Sequence, residues 1–259
     1  GSTDRPVEDS PQSFRQVGAS GIYGYGAPGA KGRLEFDAAY FQRRYTDSQQ
    51  AAAISDHNAG AVGGTFYWRI MPKTRLLFQG RYATFDYVDP SNPLDSSEKR
   101  AYIGAQWDAT AKTSGFAKFG YMRKDFASSL QNAAGSSWDV GIRWSPRTYS
   151  VFDLSALKTF NESTGIGGAI ISQRAGASWS HAWNSRLSHR LAYFNIRSKY
   201  VDSVLDRRDD AHDIGIKLNY QFRPWLSFGA EYIHTDRDSN VAEFRYKRNV
   251  IFLTIGARL

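Results

Sequence analysis

The stretch SSWDVGIRWSP, residues 136–146, places Trp138, Val140, Ile142 and Trp144 on one parity and Asp139, Gly141 and Arg143 on the other. Side chains of a strand alternate between faces with period 2, so this is one strand with an oily face and a charged face. In a soluble antiparallel sheet the oily face meets a core and the polar face meets water. In a membrane barrel the oily face meets lipid and the polar face a lumen. One strand does not separate the two, and the rest of the chain decides.

The pattern recurs. RLEFDAAY (33–40), AYIGAQWDA (101–109) and AHDIGIKLNYQF (211–222) alternate in the same way. Strands are predicted near 14–26, 33–46, 57–70, 75–88, 99–111, 115–126, 136–145, 149–160, 170–182, 187–200, 211–222, 225–236 and 246–258. Most are long enough for the roughly 9–11 residues that cross a bilayer at a tilt. Short connections, MPKT (71–74), KTS (112–114), SPR (145–147), NSR (184–186) and RP (223–224), alternate with longer polar ones. Tight turns alternating with long loops are the signature of an outer-membrane barrel. Trp68, Trp107, Trp144, Trp179, Trp183 and Trp225 fall close to the tight-turn side, as an interfacial aromatic girdle does. The competing reading is that Trp ends strands in a core.

Bulk composition agrees. The 259 residues suit a single all-β domain spanning 1–259, and aromatics make up 15% of them. Only 41% is hydrophobic and mean hydropathy is −0.51, with no run of the roughly 18 apolar residues that a membrane helix needs. A barrel escapes that limit because every second strand residue is free to be polar. Cysteine is absent, which excludes a disulfide framework and a thiolate metal site. The net charge of +8 suits anionic partners such as lipopolysaccharide or an acidic polysaccharide. The basic residues are spread over every strand, which argues against nucleic acid.

Thirteen segments make an odd number, whereas single-chain bacterial barrels normally have even numbers. The expectation is an up-and-down antiparallel transmembrane β-barrel of about 13 strands here, lacking one or more N-terminal strands of a complete barrel of 14–18, with 1–12 a loop-like segment. The first strand should then keep one unpaired edge.

The segments SWDVGIRWSPRTYSVFDLSALKTFNESTG (137–165), DRRDDAHDIGIKLNYQFRPWLSFGAEYIHTDRDSN (206–240) and YKRNVIFLTIGARL (246–259) resemble the EpsL-type, "putative β-barrel porin 2" family of outer-membrane proteins from exopolysaccharide operons. The resemblance is close over roughly 99–259 and looser over 14–88; its most specific elements are RRDD (207–210) and DRDSN (236–240). It implies a barrel in the bacterial outer membrane that passes an exopolysaccharide or assists its passage, with periplasmic polysaccharide-export proteins as possible partners. No catalytic residue carries over from it. One departure is the final Leu259, where such barrels usually end in an aromatic residue.

Alternation assigns Arg69, Arg75, Arg81, Lys118, Asp139, Arg143, Arg174, Arg190, Lys217 and Glu231 to a lumen and polymer path, with Arg258 at the last strand's end. Leu34, Phe36, Ile103, Val140, Ile142, Ile214, Ile216 and Leu218 are assigned to lipid, with Ile142 near mid-bilayer. A positive water-filled tube favours a polyanion inside it. The bland reading is a set of ion pairs bracing the wall. Lys99, Arg100, Arg207, Arg208, Arg237, Arg245, Lys247 and Arg248 are read as loop cations able to hold lipopolysaccharide phosphates, or as a solvated surface.

The five histidines lack HxxxH or HExxH spacing, so no metal site or cofactor is expected. Ser180 and His181 are adjacent in a strand and face opposite sides, which keeps them from acting as nucleophile and base. The expected function is therefore non-enzymatic: a conduit or scaffold for an anionic exopolysaccharide. A general diffusion porin is the alternative; an outer-membrane lipid hydrolase and a soluble all-β lectin rank lower.

Overall fold

Each alternating segment forms a strand. The computed structural model describes residues 13–45, 56–110, 112–162, 168–201 and 206–257. Its strands are β1 (Phe14–Tyr25), β2 (Gly32–Tyr45), β3 (His57–Met71), β4 (Thr74–Tyr87), β5 (Ser96–Thr110), β6 (Thr113–Phe126), β7 (Ala133–Arg147), β8 (Ser150–Glu162), β9 (Ala169–Ala182), β10 (Leu187–Val201), β11 (Arg208–Arg223), β12 (Leu226–Ser239) and β13 (Tyr246–Ala257). A 3-10 turn, Ala242–Phe244, precedes β13. The segment 1–12, Arg258 and Leu259 lie outside the described residues.

All thirteen strands form one antiparallel sheet in sequence order. Among the described residues β1 pairs with β2 alone and β13 with β12 alone, so the sheet is open and β1 has the free edge that an odd count predicts. β5, β7 and β11 each begin three residues earlier than alternation alone indicates, because polar residues at the loop end continue the ladder. Glu98 opposite Lys124 and Asp209 opposite Ser239 are examples.

At the other end, SPR (145–147) is strand and not turn: β7 continues through Pro146 to Arg147, which pairs with Ser150. The register shifts between Trp144 and Arg147, and a shift of this kind is where a strand tolerates proline. Similar shifts precede the tight turns of β3–β4, β5–β6 and β11–β12. Bulges concentrate at barrel rims in this way because they bend the strand and raise its twist.

Among the described residues no core runs through the sheet. The buried apolar cluster sits at the long-loop end, where Met122, Phe126, Ala133, Phe160 and Ala169 gather with Leu94 and Leu130 from the connecting loops. β7 and β8 stop pairing beyond Trp138 and Lys158, which lets the β8–β9 end lean onto its neighbours. Ser137 bridges the start of the gap: its hydroxyl donates to the Lys158 carbonyl at 2.6 Å and meets the Tyr102 hydroxyl at 2.7 Å.

Candidate functional site

Residues opposite each other in a ladder share a face, so rows can be followed across the sheet. Leu34, Phe66, Phe78, Ile103, Phe119 and Trp138 form one continuous row. Ile142, Leu154, Ala177, Tyr193 and Ile214 form another on the same face. All eight residues assigned to lipid lie on this apolar face. Leu34, Phe36, Ile103, Ile214, Ile216 and Leu218 are 37–56% exposed, while Val140 and Ile142 are half-buried. Ile142 stands two residues from Trp144, on the tight-turn side of the middle of β7, whereas Ile216 sits at the middle of β11.

All ten residues assigned to the lumen lie on the opposite face. The Lys118 and Asp37 side chains there are 19% and 25% exposed, less than the isoleucines behind them. A soluble sheet buries its apolar side and exposes its charges. This sheet leaves its apolar face exposed and partly covers several of the charges on the other face.

On the charged face, neighbouring strands pair charges. Lys118 meets Asp139 at 3.0 Å, Lys217 meets Glu231 at 3.1 Å and Arg143 meets Asp153 at 3.5 Å. Arg81 reaches Asp37 at 2.9 Å across the intervening Gly63. Four of the eight cations assigned to the lumen differ. Among the described residues Arg69, Arg75, Arg174 and Arg190 have no carboxylate at ion-pair distance. Arg69 and Arg75 sit directly opposite one another, and Arg75 donates to the Pro28 carbonyl. Arg190 donates to the Ser178 hydroxyl at 2.9 Å, and Arg174 lies 4.1 Å over the Phe194 ring. These contacts position the guanidinium groups without neutralising them. The face is thus a set of braced ion pairs interspersed with uncompensated cations.

The cations read as loop residues are mostly not in loops. Lys99, Arg100, Lys247 and Arg248 lie within the strands predicted at 99–111 and 246–258, and Arg208 and Arg237 join strands because pairing extends further toward the long loops than alternation indicates. Arg207 is fully buried. It binds Asp209 at 2.8 Å, and Arg237 binds the same carboxylate from β12. The Arg207 guanidinium lies 4.1 Å from the Tyr200 ring and 3.3 Å from the Phe244 ring. The Asn240 side chain accepts from the Arg208 amide at 2.7 Å and donates to the Asp206 carbonyl at 3.0 Å. RRDD and DRDSN, 26 residues apart in sequence, therefore form one lock between the β10–β11 and β12–β13 connections.

Trp68, Trp107, Trp144 and Trp179 each lie three residues from the tight-turn end of their strand, on the apolar face; Trp183 and Trp225 occupy turns. Beside them is a cluster that alternation does not foretell. His181 and His189 stack at 5.8 Å between Trp179 and Trp183, and the Trp183 indole donates to His189 Nδ1 at 2.8 Å. Ser180 is on the opposite face from His181, as expected. Ser150 lies opposite His181, but its hydroxyl takes the Trp179 indole N–H at 2.9 Å.

Residues 33–259 match the family model described as "Putative beta-barrel porin 2". No curated protein matches the sequence. The fold is similar to the FrpB iron transporter from Neisseria meningitidis, F3-3 variant, with TM-score 0.64 and 11% identity over 94% of this chain and 48% of that one. It is also similar to the F5-1 variant apoprotein of that transporter, with TM-score 0.60 and 12% identity over 86% of this chain and 44% of that one. A third likeness is to the ferric yersiniabactin uptake receptor FyuA from Yersinia pestis, with TM-score 0.52 and 12% identity over 90% and 44%. The chain spans about half the length of these structures, and at such identity the likeness is one of fold.

Proposed function

The chain belongs to the putative β-barrel porin 2 family, and from that premise we propose that it is an outer-membrane conduit or scaffold for an anionic exopolysaccharide. In this reading the charged face lines the lumen and the apolar face meets lipid. It acts passively, on a polymer made elsewhere and delivered from the periplasm by export proteins.

The observation that carries the reading is the distribution of uncompensated cations. Arg69 and Arg75 stand on β3 and β4, Arg174 and Arg190 on β9 and β10, so positive potential arises from two separated sectors of the wall. A polyanion meeting several weak sites, and no single deep one, is bound loosely enough to move on. The sequence resemblance to proteins of exopolysaccharide operons supports the choice of polymer.

The ion pairs Lys118–Asp139 and Lys217–Glu231 favour a second reading, a general diffusion porin for small solutes, because they neutralise much of the same wall. Planar-bilayer recording on the purified barrel separates the two. A conduit for acidic polymer conducts with anion preference, and an acidic oligosaccharide blocks it where a neutral one of equal length does not. Equal block by both oligosaccharides supports the diffusion porin.

A further inference from the structure

The apolar face carries charge at one height. On β5 the face runs Trp107, Ala105, Ile103, Ala101 and then Lys99; on β6 it runs Ala117, Phe119, Tyr121 and then Arg123. Lys99 is directly opposite Arg123, with Tyr82 of β4 on its other side. Both cations are exposed. Arg123 contacts Asp125 at 2.6 Å. Lys158 on β8 crosses the Trp138 ring at 5.0 Å and donates to Ser136 at 3.0 Å. Ser136 lies opposite Tyr121, so Lys158 reaches across to the strand beside the one that carries Arg123. Among the described residues neither Lys99 nor Lys158 has a carboxylate at ion-pair distance. On the same face and at the same end, the strands β10–β13 are balanced: Arg197 pairs with Asp210 at 3.2 Å and Lys247 with Asp236 at 3.1 Å.

Like charges directly opposite in a ladder repel, and cations on a lipid-facing wall are costly away from the headgroups. Height resolves the second cost. Eight residues separate Trp107 from Lys99, roughly 26 Å along the strand and about 20 Å along the membrane normal at the usual tilt. With Trp107 at one interface, Lys99 and Arg123 stand about 5 Å inside the far edge of a roughly 25 Å apolar band, a distance their long side chains span to the headgroups. Asp125 already offsets Arg123 on this face, and an anion seated between Lys99 and Arg123 offsets Lys99 as well. Phosphate is the group that Arg and Lys satisfy best together, through short charge-assisted hydrogen bonds. Tyr121 and Phe119 below the cations and Tyr82 beside Lys99, 42–57% exposed, supply an apolar bed for acyl chains.

We infer that Lys99, Arg123 and Lys158 form a binding site for the phosphate of an outer-leaflet glycolipid. The site requires only that the apolar face meet lipid; it is independent of what passes along the charged face. The test is native mass spectrometry of the purified chain in detergent, loaded with bis-phosphorylated lipid A or with the same lipid stripped of phosphate. Phosphorylated lipid A should be retained roughly tenfold better. The double variant Lys99→Gln/Arg123→Gln should lose that preference, Lys99→Arg should keep it, and Lys247→Gln should leave it unchanged. Heat-modifiability on gels confirms that each variant is folded. Inorganic phosphate alone should not displace the lipid. Retention by the double variant, equal retention of the stripped lipid, or displacement by inorganic phosphate would overturn the assignment. None of these results depends on conductance, so this site and the conduit reading fail separately.

Discussion

Asp37 and Arg81 contact each other at 2.9 Å although β3 runs between their strands. The register places Gly63 between them, and a Cβ there would collide with the Asp37 carboxylate. The missing side chain is what lets an ion pair span three strands. Gly63→Val should therefore open the pair. Both partners are partly exposed, so their direct coupling should be no more than about 1 kcal/mol in a double-mutant cycle with Asp37→Asn and Arg81→Gln. Gly63→Val should abolish that coupling, read as the change in unfolding midpoint in urea. An unchanged coupling in the Gly63→Val background would show that the pair does not need the gap.

The paired and unpaired cations should behave differently when removed. Replacing Arg174 and Arg190 with Gln takes away two positive charges and leaves no carboxylate behind. The barrel should assemble normally, and its reversal potential in a salt gradient should shift toward cation preference. Lys217→Gln leaves Glu231 half-buried without its partner, so assembly yield should fall as well. Equal stability losses in the two cases would make Arg174 and Arg190 structural residues.

The lock between loops is a stronger case because its charges are buried. Asp209 serves Arg207 and Arg237, and all three are at most 5% exposed. Asp209→Ala leaves two buried guanidinium groups without this carboxylate, a change that typically costs about 3–5 kcal/mol. The loss should be local, since the lock joins only the β10–β11 and β12–β13 connections. Limited proteolysis should cut first within 206–210 or 240–245, while the tight-turn end stays resistant. Resistance at those sites in the variant would mean that aromatic stacking of Arg207 on Tyr200 and Phe244 holds the loops unaided.

Alternation made the strands legible, and with them both faces: a period of 2 leaves each residue only two directions. It does not reveal which residues sit opposite one another, because register depends on turn lengths and bulges such as the shift at Trp144/Arg147. The Gly63 gap, the opposition of Arg69 to Arg75 and the stacking of His181 on His189 are all facts of register. The motifs RRDD and DRDSN were visible as sequence, but their union through Asp209 needed the β11–β12 ladder. The sequence also misleads at the long-loop end, where polar composition looks like loop and is strand.

Placement along the strand sets the last expectation. Arg on the lipid face of a barrel costs about 2–4 kcal/mol at the bilayer midplane and about 0–1 near an interface. Ile216 lies at the middle of β11, and Ile142, past the middle of β7, is only two residues from the interfacial Trp144. Ile216→Arg should therefore destabilise the barrel strongly and Ile142→Arg only slightly, measured by denaturant unfolding in lipid vesicles. Gly215→Arg and Gly141→Arg, one residue away on the charged face, separate burial from depth. A Cβ at Gly215 meets only the Ala192 methyl at 4.0 Å, so there is room for a side chain. At Gly141 the Phe116 ring is already at 2.9 Å and must move. Gly215→Arg should thus be tolerated better than Ile216→Arg beside it, although both add the same charge to the same turn of strand. If Ile142→Arg proves as costly as Ile216→Arg, the aromatic row does not mark the interface, and the heights assigned to Trp107 and Lys99 fail with it.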